Sequence, residues 1–370
     1  MIKYNWQQSD WTKFKYDLSG LQKPLLTIAE KMGFIRGKLV HLNEDLQTEA
    51  MVNLMVEEAV NTSEIEGEYI SRMDIRSSIK NMLGLNPKII PVHDKRAQGI
   101  AELMLDVRKT FKEPLTKAKL FHWHVLLMSG SSHTHLQIGK WRKGEEPMQI
   151  VSGQYGKWII HFEAPPSKNI PEEMKKFIRW FNDTAPKKPK AIEFAPVRAA
   201  IAHLYFESIH PFDDGNGRIG RAITEKILSQ GFGYPIMLSL SSVIESNKKA
   251  YYAALKEGSK TNDMTDWIYY FVNLVLGAQI EIEKQINFIF KKTNFFDQFK
   301  DSLNERQLKV IKRMTQTGIK GFEGGMSAKK YMSITGVSKA TATRDLQDLV
   351  LIKALKQIGS GRSVRYELNL

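Results

Sequence analysis

Two stretches with helical apolar spacing meet at a short polar turn, and that junction constrains the chain more than any other part of it. Ile201, Leu204, Tyr205 and Ile209 mark one helical face before the turn; Ile219, Ala222, Ile223, Ile227 and Leu228 mark another after it. Between them runs His210-Pro211-Phe212-Asp213-Asp214-Gly215-Asn216-Gly217-Arg218. Pro211 pushes His210 out of the α region, so the first helix is expected to end there. Gly215 and Gly217 let the backbone turn sharply and come close to a ligand. The second helix is expected to start near Asn216, with first-turn N–H groups that no intrahelical carbonyl can satisfy.

Such a helix start attracts anions, because unpaired amides and the helix dipole both favour negative charge. Arg218 and Arg221 are three apart, share a helix face and can add forked hydrogen bonds to phosphate oxygens. A carboxylate beside a phosphate site, here Asp213 or Asp214, is the usual protein contribution to a bound Mg²⁺. His210 at the rim is a natural base for a hydroxyl nucleophile. Together these residues point to phosphate-ester transfer from a Mg-nucleotide to a hydroxyl. A plain helix–helix turn, with Arg221 paired to Glu225 and Arg218 solvated, leaves their coincidence unexplained.

The stretch His210–Arg221 resembles the motif of the Fic family, HxFx(D/E)GNGRxxR, at every specified position; a looser resemblance extends from about Lys95 to Ala278. The resemblance implies a mainly α fold, a Fic-type helical core with one β-hairpin flap, that transfers AMP from ATP to a side-chain hydroxyl of a target protein. By the same resemblance His210 is the general base, Asp214 holds Mg²⁺, and Gly215, Asn216 and Gly217 hold the α- and β-phosphates. Arg218 would bind the β-phosphate and Arg221 the γ-phosphate end. Tyr252, on a helix expected over Val243–Lys256, stands where a family tyrosine contacts adenine. Ser259 stands about where some members carry an asparagine, which leaves base selectivity open. No GxxxxGK[ST] is present, which argues against a P-loop kinase.

Upstream, Met51, Leu54, Met55 and Ala59 mark an amphipathic helix over about 46–67. Thr62 and Glu66 lie one turn apart on it, and Gly67 is a natural stop. Thr62-xxx-Glu66-Gly67 is similar to the family's inhibitory pattern (S/T)xxxE(G/N), which implies a Glu66 carboxylate on Arg221 in the place of the γ-phosphate. Glu64 faces another side of the helix. The short β-rich runs within 148–161 suggest a hairpin, for which the resemblance implies a flap that docks the target as an added strand. His122 and His124 at i, i+2 point to different faces and suit core packing; His133 and His135 lack a third ligand.

The rest of the chain reads as helices. One is expected to begin at Ala191 and deliver His210, and a long one from Asp263 to about Lys292 leads to a boundary at Thr293-Asn-Phe-Phe. The expected organisation is an N-terminal helical segment (1–94), a Fic core (95–292) and a tail domain (300–370). The tail reads helix, helix, turn at Gly336, helix from Ser338, then two short strands, which resembles a winged helix-turn-helix. Of the formal charge of +14, residues 301–370 carry +7, from 13 Lys/Arg and 6 Asp/Glu. That asymmetry makes DNA a candidate partner, through Lys339, Thr341, Thr343 and Arg344 with Arg362 and Arg365 on the wing. A second copy of the chain is another. Zero cysteines exclude disulfides and thiolate metal sites. No basic head with an apolar core opens the chain, and its most apolar run, around Tyr269 to Ile280, is too short to span a bilayer. A cytoplasmic protein without membrane partners is expected. The alternative function is a DNA-binding regulator whose helical core senses nucleotide.

Overall fold

The computed structural model describes residues 4–131, 135–154, 157–316 and 318–370. The protein is mainly helical, with two small antiparallel hairpins. Helices α1 (Gln22–Val40), α2 (Glu44–Ile65), α3 (Arg72–Met82), α4 (Lys95–Lys109) and α5 (Lys117–Met128) precede strands β1 (Gln149–Gln154) and β2 (Lys157–Glu163). Then follow α6 (Ile170–Asp183), α7 (Ala195–Ile209), α8 (Asn216–Phe232), α9 (Leu240–Ser246), α10 (Lys248–Gly258) and α11 (Thr265–Phe299). The last elements are α12 (Glu305–Thr315), α13 (Ala328–Thr335), α14 (Lys339–Leu351), β3 (Leu355–Ile358) and β4 (Arg365–Leu368). The chain divides into two compact units, Met1–Phe34 with Thr48–Ile280 and Ile35–Gln47 with Glu281–Leu370.

In the first unit α7 is the centre. Every one of its residues is buried, as a helix apolar on all sides must be. Even Arg198 lies inside, donating to the Phe181 carbonyl (2.6 Å), Gln230 Oε1 (2.9 Å) and Thr184 Oγ1 (3.1 Å). α8 packs beside α7, and Trp267 of α11 donates to the Ala200 carbonyl at 2.7 Å. Around α7, Tyr205 meets Trp11, Phe14 and Phe177 edge-on with ring centroids 5.1–5.2 Å apart.

Three boundaries differ from the sequence reading. α7 begins at Ala195 rather than Ala191, because Pro196 fits only the first helical turn. The helix expected over Val243–Lys256 is two, α9 and α10. Asn247 leaves the helix at φ −142°, ψ 53°, and its side chain caps the Ala250 N–H. α11 runs unbroken through Thr293-Asn-Phe-Phe to Phe299.

In the second unit α12, α13 and α14 surround Val310, Ile311, Tyr331, Leu346 and Leu349, with the β3–β4 hairpin after them. This is a winged helix-turn-helix arrangement. Its buried hub is Asp345, which accepts from Arg306 (2.9 and 3.1 Å) and from the Tyr331 hydroxyl (2.8 Å). Asn304 and Gln307 form a capping box at the start of α12. Among the described residues no helix is long and apolar enough to cross a membrane.

Candidate active site

The α7–α8 turn holds His210 at φ 50°, ψ 62°. Pro211 does bar the right-handed helix, but the chain takes the left-handed region, not the extended one that usually precedes proline. For a non-glycine residue that conformation costs about 1–3 kcal/mol, so neighbours must hold it. Arg142 does: its Nε donates to the His210 carbonyl (2.7 Å), its N–H to the Pro211 carbonyl (2.9 Å) and its Nη2 to the Pro165 carbonyl (2.5 Å). Asn216 closes the turn from within, accepting from Phe212 N–H (2.9 Å) and donating to the Phe212 carbonyl (2.8 Å). Its side chain thus faces inward, and what it offers outward is its backbone amide. His124 of α5 stacks on Phe212 with ring centroids 4.1 Å apart. Its Nδ1 accepts from Gly139 N–H (2.9 Å), which leaves Nε2 to donate to the Asp214 carbonyl (3.2 Å). It is a structural histidine. His133 lies outside the described residues.

α8 starts at Asn216, with Gly215 before it at φ 81°. The first-turn amides of Asn216, Gly217 and Arg218 therefore lie beyond the intrahelical ladder. Arg218 and Arg221 are both 4% exposed. Arg221 donates to Thr62 Oγ1 (2.6 Å), the Thr62 carbonyl (2.9 Å) and Glu66 Oε1 (2.7 Å). Glu66 sits against Gly217 so closely that a Cβ there would lie 2.2 Å from Oε1. A carboxylate thus occupies the anion site at the start of α8. Glu68 pairs with Arg218 at 2.7 Å, and Asp214 approaches the same guanidinium at 3.5 Å. Glu225, the bland partner for Arg221, instead pairs with Arg108 at 3.3 Å. The end of α2 is held by α10: Lys248 Nζ donates to the Glu64 carbonyl (2.9 Å) and the Tyr252 hydroxyl to the Ile65 carbonyl (3.4 Å). Gly67 follows in the left-handed region at φ 80°. Farther up α2, Glu58 is clamped by Ser239 Oγ (2.9 Å) and by the N–H (2.9 Å) and hydroxyl of Ser241.

A cavity of about 600 Å³ opens beside His210, lined among others by Glu66, His161, Glu207, Gly217 and Tyr252. Ser259 lines it too, and its carbonyl accepts from Asn5 N–H at 2.7 Å. One wall is the β1–β2 hairpin. Its register passes from Ile150↔Phe162 to Val151↔Ile160, so His161 is the extra residue of a bulge. Tyr4 packs edge-on against Phe162 at 5.0 Å, and Trp6 donates to the Glu163 carbonyl at 2.8 Å, fixing the base of the hairpin. Tyr155 and Gly156 lie outside the described residues.

The electrostatics follow from burial. Burial, then the Arg142 cation, pushes the His210 imidazole down to about 4, so it is neutral at pH 7. Burial, then Glu66, pushes the Glu207 carboxyl up to about 8. Burial lowers the Arg221 pKa, but Glu66 outweighs it and the guanidinium stays charged. Among the described residues no three His, Asp or Glu side chains gather as a metal cage. A Mg²⁺ that keeps phosphate oxygens and water needs fewer protein ligands. Asp214 has its side chain 41% exposed; its Oδ1 accepts from Gly215 N–H at 2.5 Å, while Asp213 accepts from Gln137 N–H at 3.0 Å.

Residues 114–228 match the Fic/DOC family model. The chain carries a Fic/DOC domain over these residues. Residues 4–85 match a domain of unknown function (DUF4172), and 323–369 match the C-terminal domain of a DIP2311-like transcriptional regulator. The Fic region is similar to the probable protein adenylyltransferase aq_aa38 of Aquifex aeolicus, 31% identical over 99 residues and 27% of each chain. It is also similar to protein adenylyltransferase fic-1 of Caenorhabditis elegans, 35% identical over 98 residues, 26% of this chain and 18% of that one. The matched part thus spans about a quarter or less of these relatives. A Fic family protein from Desulfovibrio desulfuricans G20 shares the fold with a TM-score of 0.54 at 20% identity, covering 95% of this chain and 97% of that one.

Four residues of this Fic site escaped the sequence reading. Glu68 could have been found as a second carboxylate just past Gly67. Glu207, one turn before His210, carried a signal in its spacing alone. Arg142 and Glu58 carried none, because their partners are distant in sequence.

Proposed function

We propose that this Fic-domain protein is a protein adenylyltransferase, moving AMP from ATP to a hydroxyl side chain of a target protein, and that Glu66 restrains it. The observation that carries the proposal is the anion site at the start of α8: two buried arginines and three first-turn amides, beside a neutral histidine and a cavity. The names of the relatives support the same chemistry.

In the proposed reaction the target hydroxyl oxygen forms a bond to the α-phosphorus while the bond from that phosphorus to the bridging oxygen breaks. His210 Nε2 takes the hydroxyl proton, and pyrophosphate leaves. Arg218 would hold the β-phosphate, Arg221 the γ-phosphate, and the amides of Asn216, Gly217 and Arg218 the remaining oxygens, with Gly215 letting the backbone come close. These donors are fixed before reaction, which is where electrostatic stabilisation is strongest. Asp214 would hold Mg²⁺, which when bound neutralises phosphate charge. Tyr252 would border the base. The hairpin would align the target by adding its backbone as a strand, so that recognition is loose in sequence. Glu66 on Arg221 takes the place of the γ-phosphate, so ATP would bind with its α-phosphate out of line.

The test is intact mass after incubation with Mg-ATP. An AMP adduct is expected, strong in Glu66→Gly, weak in the wild type and absent in Glu66→Gly/His210→Ala. Binding of ATP with no adduct in any variant overturns the proposal in favour of a nucleotide-sensing regulator. That second reading is favoured by one feature of the second unit. Lys339, Ala340, Arg344 and Gln347 lie exposed along one side of α14, the helix that would enter a major groove.

A further inference from the structure

Glu207 lies one turn before His210 on α7, and its carboxyl points at the imidazole. Glu207 Oε2 is 3.7 Å from His210 Nδ1. The His210 and Glu207 side chains are 12% and 7% exposed, and neither Glu207 Oε1 nor His210 Nδ1 makes a well-formed hydrogen bond, although the Glu207 backbone carbonyl also acts on the ring. A buried polar atom left in that state is unfavourable. Oε2 is the oxygen nearer the ring and the unpartnered Oε1 lies against α8, so a small turn of the carboxyl closes one interaction at the edge of the cavity. α8 supplies an independent sign. A Cβ at Gly220 would lie 2.5 Å from Glu207 Oε1, so glycine at that helical position leaves room for the carboxyl.

We infer that Glu207 is the positioning residue of His210: its carboxylate accepts from Nδ1–H, fixes the ring, and leaves Nε2 unprotonated to take the hydroxyl proton. The inference rests on the transfer reaction proposed above. The separation is longer than a hydrogen bond, as such contacts often are before substrate closes the site. Glu66, Arg221 and Tyr251 face Glu207, whereas Arg142, Glu66 and Asp214 face His210. With the carboxyl pushed up to about 8 and the imidazole down to about 4, the pair at neutral pH carries its proton mainly on Glu207. A protonated carboxyl donates to Nδ1 and leaves the ring's own proton on Nε2, the wrong tautomer for a base. Ionisation of Glu207 reverses that, so transfer rises with pH as the carboxyl loses its proton. A glutamine can accept from Nδ1–H through Oε1 at any pH.

The test compares Glu207→Ala, Glu207→Gln and Gly220→Ala, each in the Glu66→Gly protein, by single-turnover self-modification with Mg-ATP between pH 6 and 9. Loss of ring orientation is expected to slow transfer about 100-fold in Glu207→Ala, with ATP affinity unchanged. Glu207→Gln should recover to within about tenfold of the parent and lose the rise with pH, since a positioned base needs only the acceptor. Gly220→Ala should resemble Glu207→Ala. Parent-like rates in Glu207→Ala overturn the inference, as does a glutamine variant as slow as alanine. The ¹⁵N shifts of His210, assigned with His210→Gln, read the tautomer without any reaction. Above pH 8 the proton should sit on Nδ1 in the parent and shift to Nε2 in Glu207→Ala; the same tautomer in both overturns the inference even if no transfer occurs. A parent that forms no adduct but shows that tautomer change sinks the transfer reading alone.

Discussion

The restraint proposed at Glu66 has a counterpart at Glu68, and the two should separate by mutation. Glu66 and Glu68 cover Arg221 and Arg218, each at 2.7 Å, and both arginine side chains are only 3% exposed. The carboxylates are partly open to solvent, at 28% and 27%. Each contributes one charge-assisted hydrogen bond, worth about 1.5–3 kcal/mol. A nucleotide phosphate must displace that bond, so removing one carboxylate should tighten ATP by roughly 10- to 100-fold, at 1.4 kcal/mol per tenfold. Arg221 keeps Thr62 as an acceptor in Glu66→Gly, which places that variant toward the lower end. Glu68→Ala should add a further factor of about ten, because among the described residues the other side-chain contact of Arg218 is the 3.5 Å one to Asp214. Calorimetric titration of Mg-ATP into His210→Ala proteins avoids turnover. The expected order of affinity is parent, either single variant, then the double variant. A double variant no tighter than Glu66→Gly would refute independent competition by Glu68. Without nucleotide, Glu66→Gly should also melt lower than the parent, since a buried guanidinium loses its carboxylate, and ATP should restore it.

Two other outcomes concern stability. Arg142→Lys removes the forked donors that hold the left-handed His210 and the Pro165 carbonyl, and should cost about 2–4 kcal/mol in denaturant unfolding, as buried charge-assisted bonds do. His203 is fully buried between Tyr251 (2.7 Å) and Thr224 (3.2 Å), and burial, then Arg221, pushes it down to about 3. Its folded pKa lies below the unfolded value near 6.5, so the unfolded chain binds the extra proton and stability falls as pH drops below about 6.5. The raised carboxyls of Glu207 and Glu225 act in the opposite direction, because there the folded state holds the proton. The contribution of His203 is therefore read as a difference: the gap in unfolding free energy between wild type and His203→Gln should shrink steadily from pH 7 to pH 4.5. A gap independent of pH would refute a buried neutral His203.

How much of this was legible in the chain depends on how local each cause is. Gly215 before Asn216 fixes the start of α8 by backbone geometry alone, and the structure places that start where the sequence did. The pairing of Glu66 with Arg221 was legible because a one-turn spacing and a family resemblance pointed to the same residues. Asn216 shows the limit. Its type was legible, but its inward bonds to Phe212 depend on how the turn closes. Pro196 and Asn247 carry usable signals that apolar periodicity masks, so periodicity alone starts α7 early and merges α9 with α10. Arg142 and Glu58 find their partners 68 and 183 residues away, where spacing holds no information, whereas Glu68 sits just past Gly67 and only its partner Arg218 is distant.

On the proposed reading the same atoms at the start of α8 serve substrate and restraint, and this limits how the restraint can be lost. Gly217 is bare because Glu66 Oε1 lies where its Cβ would be. A phosphate drawn to the same amides needs the same bare backbone. A side chain at Gly217 would thus expel the carboxylate and the nucleotide together, and so would loss of Arg221. Relief without loss of binding has to come from α2, by changing Glu66 itself or the contacts that dock the helix. Those contacts are the Thr62 bonds to Arg221, the Lys248 and Tyr252 bonds to the end of α2, and the Glu58 clamp to Ser239 and Ser241. A physiological release would act on this set. Of these, Tyr252 and Lys248 belong to the helix that borders the nucleotide cavity, so a ligand settling there bears directly on the end of α2.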